Sequence, residues 1–312
     1  MDLVVGSANP NVDFVPGRTL HRTSGVPYVM DYRDAWLLDV FDGHQLHPDA
    51  SRMARMEREL IGSAREVWFV NEGIRDWHAL RYPLAADRMH VVMNGYDPGL
   101  GPVPRTSAPD PGAPLTFGYI GTVSPKVPLR QFVDGWAQAR AVSPHMAGAR
   151  AEIHGYLGYY SMPRPDMLKV LREGVNDGLV YAGPVAKADV RRLYETFDAL
   201  LLILGTGRYV TSGKVFEYTA SALPIVSVHH PGNAATDVLR GYPLWFPIET
   251  LDADAVARAL VAAAEASRMA TPEMREAARA FSEQYARDNQ LIPRVRALIG
   301  APSTARAEEP AT

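Results

Sequence analysis

In the segment "TSGKVFEYTASALPIVSV", residues 211 to 228, Lys214, Glu217, Tyr218 and Ser221 recur at i, i+3, i+4 and i+7, one face of an α-helix. Val215, Phe216, Thr219, Ala220 and Leu223 take the opposite, apolar face. Ser212 and Gly213 stand where this helix begins, so its unpaired N–H groups and dipole, with Lys214 beside them, offer an anion site. Glu217, one turn in, can accept two hydrogen bonds from a vicinal diol such as a ribose. Phosphates at the cap and a ribose one turn deeper suit a nucleoside diphosphate. The same residues also read as an i,i+3 Lys–Glu pair on a solvated face, worth about 0.2–0.5 kcal/mol.

Three further loops carry matching chemistry. "GYIGTVSPKVPLR" (118–130) ends a strand in Gly121, adds the Thr122 hydroxyl and then Lys126 and Arg130. A glycine turn lets a phosphate approach backbone N–H groups, and a nearby cation neutralises it. "HGYLGYY" (154–160) contains Gly155, which permits close backbone approach, and Tyr156, which could flank a planar base. In "YAGPVAKADVRRLY" (181–194), Gly183 ends a strand and a helix opens near Lys187. Each loop alone also reads as an ordinary strand–helix connection with solvated or packing residues. Neither GxGxxG nor GxxxxGK[ST] occurs, so no dinucleotide fingerprint or P-loop applies.

The elements that must position these loops alternate along the whole chain. Strand-like runs at 2–8, 27–32, 66–71 and 89–95 enclose helical patterns, most clearly 49–64 and 73–82. A Pro/Gly/Ser-rich stretch, "DPGLGPVPRTSAPDPGAP", then breaks all periodicity and reads as a linker. Strand-like runs resume at 115–121, 151–158, 179–183, 199–205, 224–230 and 244–248, with helices between them and helices at 251–267 and 271–298 closing the chain. Continuous apolar strands alternating with helices indicate parallel sheets covered on both faces. The fold class is α/β with two Rossmann-like domains, the first of only about four strands. In such sheets ligands bind beyond the carboxyl ends of the strands, where the four loops meet.

Composition narrows the function classes. The 312 residues are 47% hydrophobic and 21% charged with a net charge of −3, which argues against bulk electrostatic capture of nucleic acid. With no cysteine, thiol nucleophiles, disulfides and cysteine-bound zinc are excluded, and a cytoplasmic location fits. The histidines of "HRTSG", "HQLHP" and "VHHPG" form no metal-ligand motif. No apolar run reaches the roughly 20 residues needed to span a bilayer. The start, "MDLVVGSANP", has no positive region before its apolar stretch, unlike a signal peptide. The final residues, 301–312, are small, polar and Pro-containing and read as a disordered tail.

Taken together, "GYIGTV", "LVYAGPVAKADVRRLYETFDALLLIL" and "SGKVFEYTASALPIV" resemble the donor half of GT-B glycosyltransferases, specifically glycosyltransferase family 4 in its bacterial branch with a "PSK-L-F-E-Y-x-A-x-G-x-P-V" segment. "GVPYVMDYRDAW" (25–36), "MERELIGSAREVWFVNEGIRDW" (56–77) and "VVMNGYDP" (91–98) are similar to first-domain motifs of that family, and the match runs in order from about residue 2 to about 290. The resemblance implies a partial acceptor-side domain over 1–97, a linker over 98–114, a donor domain over 115–270 and a C-terminal helix over 271–300 returning toward the first domain. It implies a retaining, metal-independent transfer from a nucleotide-sugar donor to a glycan, lipid-linked or secondary-metabolite acceptor, with no cofactor. Glu217 then matches the ribose-binding glutamate, Lys214 the lysine near the diphosphate, and Gly121 and Thr122 the loop under the phosphates. Gly155, Tyr156, Gly183, Ser212, Gly213 and Tyr218 complete the donor candidates. Arg33, Asp34 and Lys126 are the catalytic candidates, the first two at a strand end where they would face the cleft or simply pair with each other.

Two departures from the family pattern carry expectations of their own. Thr122 stands where the family has an arginine, leaving Lys126, or Arg130, as the phosphate cation. Tyr209 stands where retaining members have a sugar-contacting glutamate eight residues before Glu217, which makes Tyr209 the donor-sugar candidate. The family also begins with a glycine-rich loop and about three strand–helix units that precede the strand opening this sequence, so the first domain reads as truncated. A misassigned start, a fragment, or a shortened protein needing a protein partner would each account for it. A non-catalytic nucleotide-sugar-binding subunit and a GT-B sugar-nucleotide epimerase are the alternatives to a transferase. Peripheral membrane contact, common among relatives, has no direct support in the balanced charge.

Overall fold

The computed structural model describes residues 2–158, 162–205 and 207–299, and among these described residues ten strands and eleven α-helices alternate. The tail at 301–312, and Tyr159 and Tyr160 of the second glycine loop, lie outside the described residues. Contacts divide the chain into two compact units. The first comprises residues up to Asp39, His44–Met93 and the chain from Arg287 onward; the second comprises Val40–Gly43 and Asn94–Ala286. The Pro/Gly/Ser-rich stretch after residue 97 therefore belongs with the second unit.

The first unit is a four-stranded, wholly parallel sheet of β1 (Val4–Ala8), β2 (Tyr28–Tyr32), β3 (Glu66–Phe69) and β4 (Met89–Val91), in that spatial order. Three helices connect the strands: α1 (Phe14–Ser24), α2 (Arg52–Ser63) and α3 (Glu72–Arg81). Ser51 caps α2 by accepting the Ala54 N–H, and Asn71 caps α3 by accepting that of Ile74. Helix α1 is absent from the sequence reading because Pro16 and Gly17 interrupt its propensity. Pro16 falls in the first turn, where no N–H is required. Gly17 faces Tyr28, whose Cβ would stand 3.1 Å from any Cβ placed there, so packing selects the glycine that propensity counts against.

The second unit is a six-stranded parallel sheet ordered β10-β9-β8-β5-β6-β7. Its strands are β5 (Thr116–Ile120), β6 (Arg150–His154), β7 (Leu179–Gly183), β8 (Ala199–Ile203), β9 (Ile225–Val228) and β10 (Trp245–Phe246). Every residue of β5, β8 and β9 is buried, the pattern of strands covered on both faces. The covering helices are α4 (Leu129–Val142), α5 (Pro165–Glu173), α6 (Val190–Tyr194), α7 (Lys214–Ala220), α8 (Ala235–Leu239), α9 (Ala253–Met269) and α10 (Pro272–Glu283). Helices α4 and α9 pack closely because Gly135 leaves room: a Cβ there would lie 2.7 Å from the Ala253 carbonyl. Chain order reverses between β8 and β5, which makes the crevice at their carboxyl ends the switch point of the sheet.

The sequence reading carries one helix through 271–298, but the chain forms two, α10 and α11 (Arg287–Ile299). Between them Tyr285 is buried against Phe216 and Phe281, and its hydroxyl donates to the Val238 carbonyl at 3.0 Å. Tertiary packing thus breaks a continuous helical pattern. Leu291, Val295 and Leu298 of α11 pack on Val29, Trp68 and Val92 of the first unit, where Arg294 also pairs with Glu66. No helix among the described residues is long and apolar enough to cross a membrane.

Candidate functional site

Lys214 opens α7 at the switch crevice of the second unit. Its ammonium donates to the Tyr119 hydroxyl at 2.6 Å and lies 4.2 Å from that ring's centre; the hydroxyl in turn donates to the Thr122 carbonyl at 2.8 Å. Burial pushes the Lys214 pKa down to about 8, and the charge of Glu217 opposes that shift only in part. An ammonium held in a low-dielectric crevice with no carboxylate in salt-bridge contact among the described residues is a site that an anion would complete.

The Gly121 turn lies beside it, and the turns at Gly155 and Gly183 follow in series along the strand ends. The Gly121 N–H bonds the His154 carbonyl at 2.8 Å, and the Gly155 N–H bonds that of Gly183 at 2.9 Å, which ties the ends of β5, β6 and β7 together. Gly121 has φ +128° and faces Lys214, whose Nζ would lie 3.0 Å from any Cβ there. At Gly155 a Cβ would come within 2.0 Å of the Gly121 carbonyl oxygen, a contact no side chain survives. Tyr156 is 45% exposed, so its ring is available to a ligand. A cavity of about 280 Å³ opens in the same crevice, lined in part by Tyr119, Thr122, Ser124, Ser212 and Lys214.

Glu217 lies one turn further along α7, outside that cavity, and its Oε2 accepts a hydrogen bond from the buried Tyr194 hydroxyl at 3.1 Å. The structure therefore brings Gly121, Thr122, Ser212, Lys214 and Glu217 to one end of the sheet. Tyr119 and Tyr194, which aim the two charged side chains, escape the sequence reading. They sit 95 and 23 residues from their partners, so only an apolar strand ("GYIG") and a helix end marked them.

Several expectations are corrected. Tyr218 is completely buried and its hydroxyl accepts the Ile120 N–H at 3.1 Å, so it fixes α7 to β5 instead of facing a ligand. Ser221 is buried too, so the open face of α7 narrows to Lys214 and Glu217. The helix has only seven residues, and the N–H groups of Val215 and Phe216 bond the carbonyls of Ser212 and Gly213. Those donors are occupied, which leaves the Lys214 ammonium as the principal positive element. Arg130 pairs with Glu173 and Asp134 on the surface and is not among the cavity's lining residues. Lys126 stands over the Phe41 ring with its Nζ 4.0 Å from the centroid. Tyr209 is not among the cavity's lining residues; its ring lies against Gly43, where a Cβ would meet it at 2.9 Å.

In the first unit Arg33 does not pair with Asp34. Its guanidinium grips Asp31 at the end of β2, with Nε 2.9 Å from Oδ2 and a second nitrogen 2.5 Å from Oδ1, while Ser7 donates to the same carboxylate at 2.8 Å. Asp34 is exposed.

The two parallel Rossmann-like sheets make an α/β fold of the GT-B type, which solved structures share. A crystal structure of Anabaena HepE with UDP aligns over 94% of this chain and 78% of its own, at 17% identity and a TM-score of 0.66. A glycosyltransferase from Rickettsia africae aligns over 97% and 78% at 13% identity and 0.67, and sucrose-phosphate synthase from Thermosynechococcus elongatus over 96% and 74% at 15% identity and 0.62. No family model and no curated protein matches the sequence.

Proposed function

We propose that this chain is a glycosyltransferase that takes its sugar from a nucleoside-diphosphate sugar. The observation that carries the reading is the incompletely compensated Lys214 ammonium at the β5–β8 switch point, with Gly121 pressed against it and Glu217 one turn away. The diphosphate binds Lys214 and the Gly121–Thr122 turn, Glu217 receives the ribose hydroxyls, and Tyr156 borders the base. Support comes from a similarly folded protein, HepE, whose structures hold UDP and UDP-glucose.

In the transfer, the bond between the sugar's anomeric carbon and the diphosphate breaks and one to an acceptor hydroxyl forms, with release of the hydroxyl proton. Negative charge builds on the departing diphosphate, where Lys214 and Lys126 stabilise it; no metal is assigned to this role. The reading takes the reaction to be retaining and the acceptor to be a glycan, a lipid-linked intermediate or a secondary metabolite, handled by the first unit with Arg33 and Asp34.

Thermal unfolding in saturating UDP, GDP or dTDP tests the donor site. At a hundredfold excess over Kd, a bound nucleotide adds about 2.7 kcal/mol and raises Tm by a few degrees. Glu217→Ala is expected to remove most of that shift. Unchanged melting in all three nucleotides overturns the proposal.

A further inference from the structure

Helices α1 and α2 follow the parallel neighbours β1 and β2, so both begin at the carboxyl edge of the first sheet and lie side by side. Two cavities lie against them, of about 490 and 280 Å³, and the two share Val15 and Met56 as lining residues. Asn9 and Asn11 just after β1, Trp36 after β2 and Arg52 at the start of α2 also line the larger one. That places it at the strand ends, where α/β sheets take ligands. The smaller continues along α1 past Arg18 to Arg22, with Leu60 of α2 in its lining. From α2, Arg52, Met53, Met56 and Leu60 line the pair at helical spacing over about 12 Å. The two helices carry Arg18, Arg22, Arg52, Arg55 and Arg58 against Glu59 and the buried Glu57, in a chain of net charge −3. Arg18 pairs with Glu59, whereas the Arg22 and Arg52 side chains have no hydrogen-bond or ion-pair partner among the described residues. The Thr19 and Thr23 hydroxyls donate to carbonyls of α1 itself, and the Asn11 side-chain oxygen is shut off from solvent without a partner.

We propose that this groove binds a single-chain lipid phosphate, and that this lipid is the acceptor. The acceptor role rests on the transferase reading above; the binding site does not. The phosphate meets Arg52 at the strand ends, because a guanidinium can hold two phosphate oxygens at once. The chain lies along Val15, Met56 and Leu60, which removes apolar surface from water, and the unbranched methionine adapts to the chain's shape. Farther along, Arg22 lays its stem beside the chain and keeps its charged head in water. A hydroxyl on the group attached to the phosphate would satisfy the orphaned Asn11 oxygen. An anion without a chain leaves Val15, Met56 and Leu60 uncovered, and an uncharged chain leaves Arg52 unanswered. The groove therefore selects for both parts of the molecule together.

Calorimetry on the full chain tests this with three soluble probes: geranyl phosphate, geraniol and inorganic phosphate. UDP is titrated alongside. The expected result is that geranyl phosphate binds roughly tenfold or more tightly than either of the other two. Arg52→Gln, at an exposed position, should weaken geranyl phosphate about ten- to a hundredfold, toward the affinity of geraniol. Met56→Gln should weaken it as well and leave inorganic phosphate unchanged. In both variants UDP affinity should match the parent, which shows that folding is intact. Equal binding of geraniol and geranyl phosphate, or parental affinity in Arg52→Gln, overturns the proposal. So does binding to anionic phosphatidylglycerol vesicles with none to soluble geranyl phosphate, which would make this face a membrane-docking surface. Geranyl phosphate binding without binding of UDP, GDP or dTDP overturns the acceptor role and leaves the lipid-phosphate site standing; nucleotide binding without geranyl phosphate binding overturns the groove alone.

Discussion

Glu57 in the first unit and Lys214 in the second are both desolvated charges, and the two are treated in opposite ways. Glu57 in the first unit is completely buried, with the Tyr32 hydroxyl donating to it at 3.0 Å and that of Tyr82 at 2.6 Å. His78 Nε2 lies 3.5 Å from the same carboxylate, at the outer edge of hydrogen bonding, while its Nδ1 bonds the Ile74 carbonyl. Burial pushes the Glu57 pKa up, but His78, Tyr82 and Tyr32 outweigh it and the pKa falls below its ordinary value. At Lys214 burial wins and the pKa drops to about 8. A buried charge whose partners over-compensate its desolvation holds structure together. One left under-compensated costs stability, and in the proposed reading the ligand supplies what is missing.

The widest effect should come from breaking the satisfied member. Glu57→Ala leaves two tyrosine hydroxyls and an imidazole facing a void and is expected to cost roughly 3–5 kcal/mol in denaturant unfolding. A cost near zero would remove the contrast at its root. Because the folded carboxyl pKa lies below the ordinary 4.5, the stabilisation is present at and above that pH and fades as pH falls through the lowered value. Lys214→Met should do the reverse. Exchanging the buried ammonium for an apolar chain of similar length is expected to leave stability at pH 7 unchanged or raise it by roughly 1–3 kcal/mol. UDP affinity, by contrast, should fall about a hundredfold, because charge-assisted hydrogen bonds to the diphosphate are lost. A Lys214→Met variant that is destabilised yet binds UDP normally would make the lysine structural.

The two sites also differ in how far the sequence displayed them. Lys214 and Glu217 are legible from i,i+3 spacing, and Gly121, Gly155 and Gly183 from their places at strand ends. Helix caps such as Ser51 and Asn71 and the all-apolar strands β5, β8 and β9 are local signals, so the α/β alternation was legible too. The hydroxyls of Tyr119 and Tyr194 and the placing of Phe41 were not, since each depends on chain segments remote in sequence. The Glu57 network was hidden for the same reason: Tyr32 and Tyr82 each stand 25 residues from the carboxylate they bind. Glu57 itself sits in "MERELIGSA", where it reads as one more helix-surface acid.

Titration sharpens the contrast at the lysine. Folding lowers the Lys214 pKa from 10.5 to about 8, so the unfolded chain holds the proton more tightly across that interval. The burial penalty is therefore full below about pH 8, and the free protein gains stability as pH rises from there toward 10.5. UDP affinity should run the other way, falling by up to about tenfold per unit above the lysine pKa as the ammonium is lost. A terminal phosphate completes its second ionisation near pH 6, so the ligand contributes no slope of its own in this range. Calorimetry between pH 7 and 10 in buffers of different ionisation enthalpy would also detect proton uptake on binding near pH 8. Affinity that is flat across the interval would mean that the diphosphate does not meet Lys214.

The smallest expected effect separates the two remaining cations of the Gly121 loop. Arg130 is exposed and its charge is answered by Glu173 and Asp134, so Arg130→Ala should leave UDP affinity within about twofold of the parent. Lys126 is exposed as well, but its ammonium rests on the Phe41 ring, and Gly205 backs its stem closely enough that a Cβ there would lie 3.1 Å from the Lys126 Cβ. That stacking holds the side chain on Phe41, a lining residue of the cavity, without neutralising it, because a ring quadrupole orients a cation and leaves its charge available to an anion. Lys126→Ala is therefore expected to weaken UDP about three- to tenfold, and raising the salt concentration should shrink that loss, as for any partly solvated charge. If Arg130→Ala cost more than Lys126→Ala, the loop would have to turn its arginine inward on binding, breaking the Glu173 pair, and the cation of this loop would be Arg130 instead.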